Sequence, residues 1–185
     1  LGFETTMPST ALTLLQADRE GITNFSLFCN HITIIPTIKA ILDSPDMVID
    51  GFLGPGHVSM VIGKAPYEFI ASHYTRPLVI AGFEPLDILQ SMLMVVEQIR
   101  DGKALVENQY KRIVPEQGNN NALKAVGEVF ELREFFEWRG LGSIDHSGVR
   151  IREKYARFDA ERLFAVEPAH VADPKACQCG EVLKG

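Results

Sequence analysis

Three cysteines and one tryptophan are all that 185 residues carry of these types. Only Cys177 and Cys179 lie close together, so the chain has no disulfide framework of the kind that staples small secreted domains, and a reducing cytoplasm is expected. A membrane-crossing run is missing as well: the longest apolar stretch, Leu86 to Ile99, is broken by Asp87, Gln90, Ser91, Glu97 and Gln98. Basic blocks are absent; 18 Lys and Arg stand against 24 Asp and Glu, a net charge of -6, which excludes nucleic acid as the expected partner. The chain opens on Leu1 with no basic segment ahead of an apolar one, so no secretory signal is expected.

What is present is ordinary globular material. A hydrophobic share of 46% is enough for one sizeable core, hence one domain with at most an appendage. Strand signals, rich in aromatic or β-branched residues, fall at Phe25 to Cys29, Val48 to Leu53, Leu78 to Ala81 and Tyr110 to Val114. Helical spacing separates them: Ile34, Ile35, Ile38, Ile41 and Leu42 follow Thr33 as an N-cap, with Pro36 in the first turn. A second helix starts at Pro85 and ends at Gly102, with two adjacent apolar stripes that predict burial over a wide arc and a central place in the fold. Beyond Pro115 a helix is expected over about Asn121 to Leu132, then a Gly-rich stretch from Gly140 to Gly148 and a short helix near Asp159. Short strands alternating with helices imply βαβ units, so the fold class is α/β, a Rossmann-like parallel sheet flanked by helices.

A Gly-Phe-Glu triplet occurs at Gly2-Phe3-Glu4 and again at Gly82-Phe83-Glu84, each running into Pro and an apolar helical pattern. Read as strand-to-helix turns, both place Glu at the sheet edge where α/β proteins bind ligands, and Gly54-Pro55-Gly56-His57-Val58-Ser59 reaches the same edge. Glu4, Thr5 and Thr6 offer a carboxylate and two hydroxyls for a polar ligand; equally, a Thr caps the helix and Glu4 bonds backbone N–H groups. His57 is a candidate proton shuttle or hydrogen-bond donor against a merely exposed imidazole, while Ser59 reads as a helix cap. Neither Glu4 nor His57 is expected to supply core volume. Gly56 to Lys64 fails as a phosphate loop because the spacing is too long and Ala65 replaces the required hydroxyl. Cys29 and His31, two apart at a strand end, read as packing before they read as metal ligands. His73, His146 and His170 have no companions that suggest chemistry. Cys177-Gln178-Cys179 alone is too few thiols for a cluster or a zinc site.

Those three turns, together with Val106-Glu107-Asn108-Gln109-Tyr110, Trp138-Arg139-Gly140-Leu141-Gly142, Phe158-Asp159-Ala160-Glu161 and Cys179-Gly180-Glu181-Val182-Leu183, closely resemble the HypD family of nickel–iron hydrogenase maturation proteins. The resemblance covers essentially the whole chain. Family members are longer; they begin with Cys-Gly-Gly-His and Cys-Pro-Val-Cys stretches and end with further cysteines, none of which is present here. It implies a scaffold that, with HypC, carries an iron ion while cyanide from HypE and carbon monoxide are attached, more a carrier than a turnover enzyme. Glu4, Thr5, Thr6, His57 and Glu84 would form one wall of the iron cleft. Cys179 would be a ligand of a four-iron four-sulfur cluster in the intact protein only, and neither iron nor cluster is expected to be held stably by this chain. Residues 1–175 would form the central α/β domain, its first strand missing, and 176–185 the start of the iron–sulfur segment. The open edge so left is expected to promote self-association. Two rival readings are a free-standing α/β enzyme using Glu4, Glu84 and His57 on a small metabolite, and a pure interaction module.

Overall fold

The computed structural model describes residues 2–164 and 171–185; His170 lies outside them. In chain order the elements are α1 (Met7–Arg19), α2 (Ile34–Leu42), β1 (Phe52–Pro55), α3 (Gly56–Ile62), α4 (Glu68–Tyr74), β2 (Leu78–Ala81), α5 (Pro85–Arg100), β3 (Val106–Asn108), α6 (Asn120–Val129), β4 (Phe130–Leu132), β5 (Phe135–Trp138), β6 (Gly142–Asp145), β7 (Val149–Ile151), α7 (Ala160–Leu163) and α8 (Cys179–Lys184). They form two compact units, Leu1–Asp46 with Lys124–Gly185, and Met47–Leu123.

The second unit carries the parallel sheet that the alternation of strand and helix signals implies. Its order is β1-β2-β3, with Phe52 paired to Leu78 and Leu78 to Val106. All four residues of β2 are buried, as the central strand of a parallel sheet covered on both faces requires. Two strand expectations shift. The first strand begins at Phe52, where the Phe52 N–H meets the Pro77 carbonyl at 2.9 Å, not at Val48. The third is Val106–Asn108; Tyr110 to Val114 is instead a turn in which Ile113 and Val114 both donate to the Tyr110 carbonyl at 3.0 Å. There the local hydrogen bonds outcompete β-branched propensity.

Helix α5 begins at Pro85 as expected, but it lies the other way round. Asp87, Ser91, Val95 and Gln98 are its buried residues, while Leu86, Leu89, Met92, Leu93, Val96 and Ile99 face outward, so the expectation of a centrally buried helix is overturned. The buried polar groups are matched rather than desolvated without recompense. Ser91 Oγ donates to the Asp87 carbonyl at 2.7 Å, and Gln98 bridges Glu107 Oε2 and the Leu105 N–H, each at 2.7 Å.

In the first unit, Met7, Ala11, Leu14 and Ala17 of α1 recur at helical spacing and meet Cys29, Ala125, Val129, Phe130, Val149, Ile151, Tyr155 and Phe158 in one core. Helix α2 has the predicted span behind Thr33. Phe25 to Cys29 is not a strand: its one bridge joins Leu27 to Asp159, through Leu27 N–H to Phe158 O at 2.7 Å and Ala160 N–H to Leu27 O at 3.1 Å. The Gly-rich stretch expected from Gly140 to Gly148 contributes β6 to an antiparallel pair with β5, and β4 pairs antiparallel with β7 just beyond it.

Candidate functional site

The two Gly-Phe-Glu turns do not end strands of one sheet. Gly2 makes a parallel bridge to His31, whereas Gly82 follows β2 of the three-stranded sheet, and the two turns fall in different units. Glu4, Thr5, Thr6 and Cys179 belong to the first unit; His57 and Glu84 belong to the second.

Glu4 is 6% exposed. Its Oε1 accepts the N–H of Ile34, the first residue of α2, at 2.8 Å, while Oε2 is buried without a hydrogen-bond partner. The carboxylate therefore caps α2, thirty positions along the chain, rather than the helix it precedes. Burial pushes its pKa above the ordinary carboxylate value, and the bonds from the backbone N–H groups of Ile34 and of Glu4 itself hold it back. Thr33 occupies the N-cap position of α2 but spends its hydroxyl on the His146 carbonyl at 3.3 Å. Thr5 is exposed, and Thr6, at the start of α1, donates to the Phe3 carbonyl at 3.2 Å.

His57 and Glu84 follow β1 and β2, so both stand at the carboxyl edge of the parallel sheet. The His57 ring stacks on Phe83, centroids 4.1 Å apart and planes 25° from parallel, and both residues are exposed. Glu84 is the N-cap of α5 and is also exposed. Behind them the turn after β3 supplies a cluster the sequence reading did not single out. Arg112 grips both Asp87 oxygens, Nη1 to Oδ1 at 3.0 Å, and lies 4.5 Å over the Tyr110 ring. Gln109 donates to Asp87 Oδ1 at 2.8 Å and accepts the Gly82 N–H at 3.3 Å. The Arg112 guanidinium, with Gln109 beside it, draws the Asp87 pKa down to about 2.

Two glycines make this cluster possible. A Cβ on Gly56 would run into the Ala81 carbonyl and stand 2.9 Å from the Tyr110 ring; one on Gly82 would run into the Asp87 carboxylate and stand 2.9 Å from the other side of that ring. Tyr110 thus sits between the turns that present His57 and Glu84. What the edge offers a ligand is an oriented aromatic pair, an exposed carboxylate and a half-exposed guanidinium.

At the other end of the chain Cys179, exposed, opens α8, with Cys177 half-buried beside it. Arg139 hydrogen-bonds Cys177; the Cys179 N–H and that guanidinium lower the Cys177 pKa, and the Cys177 thiolate raises that of Cys179. Gly140, at φ 76°, backs directly onto Gly180, and its N–H donates to Asp173 at 2.8 Å. A Cβ on either glycine would strike the other's backbone, so the Trp138-Arg139-Gly140 turn is the seat of the cysteine segment.

Cys29 and His31 do touch, Sγ to Nδ1 3.7 Å, but both are buried in the core. Burial raises the Cys29 pKa and lowers that of His31, which keeps the thiol protonated rather than a ligand. Among the described residues no group of three or more His, Cys, Asp or Glu could hold a metal ion. A four-iron four-sulfur cluster needs four thiolates, which three cysteines, one of them in the core, do not fit. None of the helices among the described residues is long and apolar enough to cross a membrane.

The family model described as HypD, hydrogenase formation hypA family, matches residues 1–185. The hydrogenase maturation factor HypD of Rhodobacter capsulatus is 59% identical over 189 residues, and that of Escherichia coli strain K12 is 55% identical over 185; each alignment takes in 100% of this chain and 50% of the relative. The hydrogenase expression/formation protein HupD of Azotobacter chroococcum mcd 1 is 52% identical over 190 residues, with the same coverage. The chain spans about half the length of the curated relatives it matches.

Proposed function

The chain belongs to the HypD family of hydrogenase formation proteins, and from that premise we propose that it forms part of a maturation scaffold on which the iron centre of a nickel–iron hydrogenase is assembled with cyanide and carbon monoxide ligands. HypC and HypE are the partners this reading names, and the cytoplasm is its compartment. The observation that carries it is a family match running through all of residues 1–185, so that the turns bearing Glu4 to Thr6, His57 and Glu84 all lie inside the matched region. The iron is cargo in this reading, and the chain acts as carrier wall, not as turnover catalyst. His57 and Glu84 would orient or hydrogen-bond a ligand group at the sheet edge of their own unit; Glu4, Thr5 and Thr6 are proposed separately as polar groups of the first unit that serve the same assembly task.

The test is complementation. In cells that make nickel–iron hydrogenase but lack their own HypD, a family-length protein carrying this sequence should restore hydrogenase activity. His57→Ala should cut the restored activity by more than about tenfold, the scale of a lost positioned donor, while the thermal midpoint stays unchanged because the imidazole is on the surface. Full activity in that variant would remove His57 from the site.

Cys179 is proposed as a cluster ligand of the intact protein. The chain by itself should bind iron and sulfide substoichiometrically after anaerobic reconstitution, because Cys177 and Cys179 leave at least two coordination positions open. A stoichiometric cluster, read by iron and sulfide analysis and electron paramagnetic resonance of the reduced sample, would refute this.

A further inference from the structure

Side chains alternate along β5: Phe136 and Trp138 are half-buried, while Phe135 and Glu137 are exposed. Phe136 fills the space over Gly148, where a Cβ would run into its ring. The Trp138 ring lies 6.0 Å from that of Phe3, planes 59° apart, and its Nε1–H donates to Ser147 Oγ at 2.7 Å. An indole N–H drawn out of water needs such an acceptor. Ser147 is fully buried and donates its own hydroxyl to the Ile144 carbonyl at 2.8 Å, so the turn that carries it is held on both sides of the oxygen.

From Ser147 the hydrogen bonds lead to Glu4. The Ser147 carbonyl accepts the Thr33 N–H at 2.8 Å, and the His146 carbonyl accepts the Thr33 hydroxyl at 3.3 Å. Thr33 is the N-cap of α2, and the next residue, Ile34, donates its N–H to Glu4 Oε1 at 2.8 Å. On the other flank the Ile32 N–H donates to the Gly2 carbonyl at 2.9 Å, which ties the start of the Gly2-Phe3-Glu4 turn to the same segment. The place of the Ile34 N–H, and with it the way Glu4 presents its unpartnered Oε2, therefore depends on the turn that Trp138 grips. Trp138 also runs directly into Arg139 and Gly140, the seat of the cysteine segment, so one hairpin orients both.

We propose that Trp138 is a positioning residue for Glu4: its indole N–H, acting through Ser147 and Thr33, fixes the amino end of α2 against the Glu4 carboxylate. A part for Trp138 in iron-centre assembly rests on the function proposed above; the positioning itself does not.

Trp138→Phe keeps an aromatic ring beside Phe3 and removes the donor, and Ser147→Ala removes the acceptor. Amide hydrogen exchange on the chain should show Ile34 protection falling about five- to tenfold in each variant, the scale of one hydrogen bond, relative to the Ala11 and Leu14 amides in the core of the same unit. The double variant should lose no more than either single one, because both break the same bond. In a family-length protein that restores hydrogenase, Trp138→Phe should cut the restored activity by about tenfold, as misplacement of an assembly group does, and should cut it no further in a Glu4→Gln background. An Ile34 amide as protected in the variants as in the parent would overturn the positioning whatever the hydrogenase result. Equal loss of protection at Ile34, Ala11 and Leu14 would make Trp138 a general support of the core and overturn it as well. An additive loss of activity in the Glu4→Gln background would give Trp138 a route other than Glu4. Selective loosening of Ile34 with hydrogenase fully restored would uphold the positioning and remove Glu4 from the assembly reading.

Discussion

Gly82→Ala should cost the unit that holds the parallel sheet about 3 kcal/mol, the upper range for forcing volume into a packed site. The added methyl would occupy the place of the Asp87 carboxylate and crowd the Tyr110 ring at 2.9 Å. Asp87 has nowhere to retreat, since Arg112 Nη1 holds Oδ1 at 3.0 Å and Gln109 Nε2 holds the same oxygen at 2.8 Å. Relief must come from breaking that ion pair or opening the turn that presents Phe83 and Glu84, and either displaces the His57 stacking partner. A second signature follows from acid titration. Because the Arg112 bond depresses the Asp87 pKa to about 2, its contribution is present above the unfolded carboxylate value near 3.8 and is lost as the pH falls through about 2. In Gly82→Ala the Asp87 carboxyl should titrate closer to 3.8, as followed by carboxyl carbon resonances. Gly127→Ala is the control: nothing lies within 4 Å of its added Cβ, and in the interior of α6 the change should stabilise by about 1 kcal/mol. A Gly82→Ala urea midpoint equal to that of the parent would show that the Asp87–Tyr110 packing is loose.

Sequence reasoning reached what is local in the chain and missed what is brought together from afar. Leu78–Ala81, Ile34–Leu42 and the start of α5 at Pro85 follow from runs of β-branched residues, helical spacing and proline tolerance in a first turn. The orientation of α5 was not legible, because hydrophobic count alone says which face ought to be buried. Only the positions of Arg112, Gln109, Leu105 and Glu107 reveal that its polar residues have partners inside. Similarly, Glu4 looked like a group at the entry of its own helix, and nothing near it in sequence announces Ile34 as its donor. Gln109 and Tyr110 stood within a motif, yet their role as the packing behind two glycine turns depends on the β1-β2-β3 order. The seat of the cysteine segment, Gly140 against Gly180, is likewise a contact across forty positions of sequence.

Glu4 separates capping from ligand handling. The expectation that Glu4 could be removed without cost to the fold does not survive its burial: Glu4→Ala strands the Ile34 N–H and opens a void, which should lower stability by about 2 kcal/mol, the cost of an unsatisfied buried donor. Glu4→Gln keeps volume and an acceptor oxygen for Ile34 and removes the ionisation. Since burial raises the folded-state pKa of Glu4 above 4.5, the parent holds this group's full stabilisation below that value and loses it as the pH climbs through the raised pKa. Urea unfolding from pH 4 to pH 8 should therefore show Glu4→Gln gaining on the parent as pH rises. An unchanged difference across that range would mean that the carboxyl is not desolvated in the folded state. The functional half of the experiment uses a family-length protein. If Glu4 serves only as the α2 cap, Glu4→Gln matures hydrogenase as the parent does. If the unpartnered Oε2 receives a donor or cation during iron-centre assembly, as proposed, Glu4→Gln should lose most of the restored activity, by about a factor of ten to a hundred for one lost charge-assisted bond, while remaining at least as stable as the parent. Retained activity in that stable variant would assign Glu4 to the architecture of α2 and leave the carboxyl-edge cluster around His57 as the chain's ligand-facing surface.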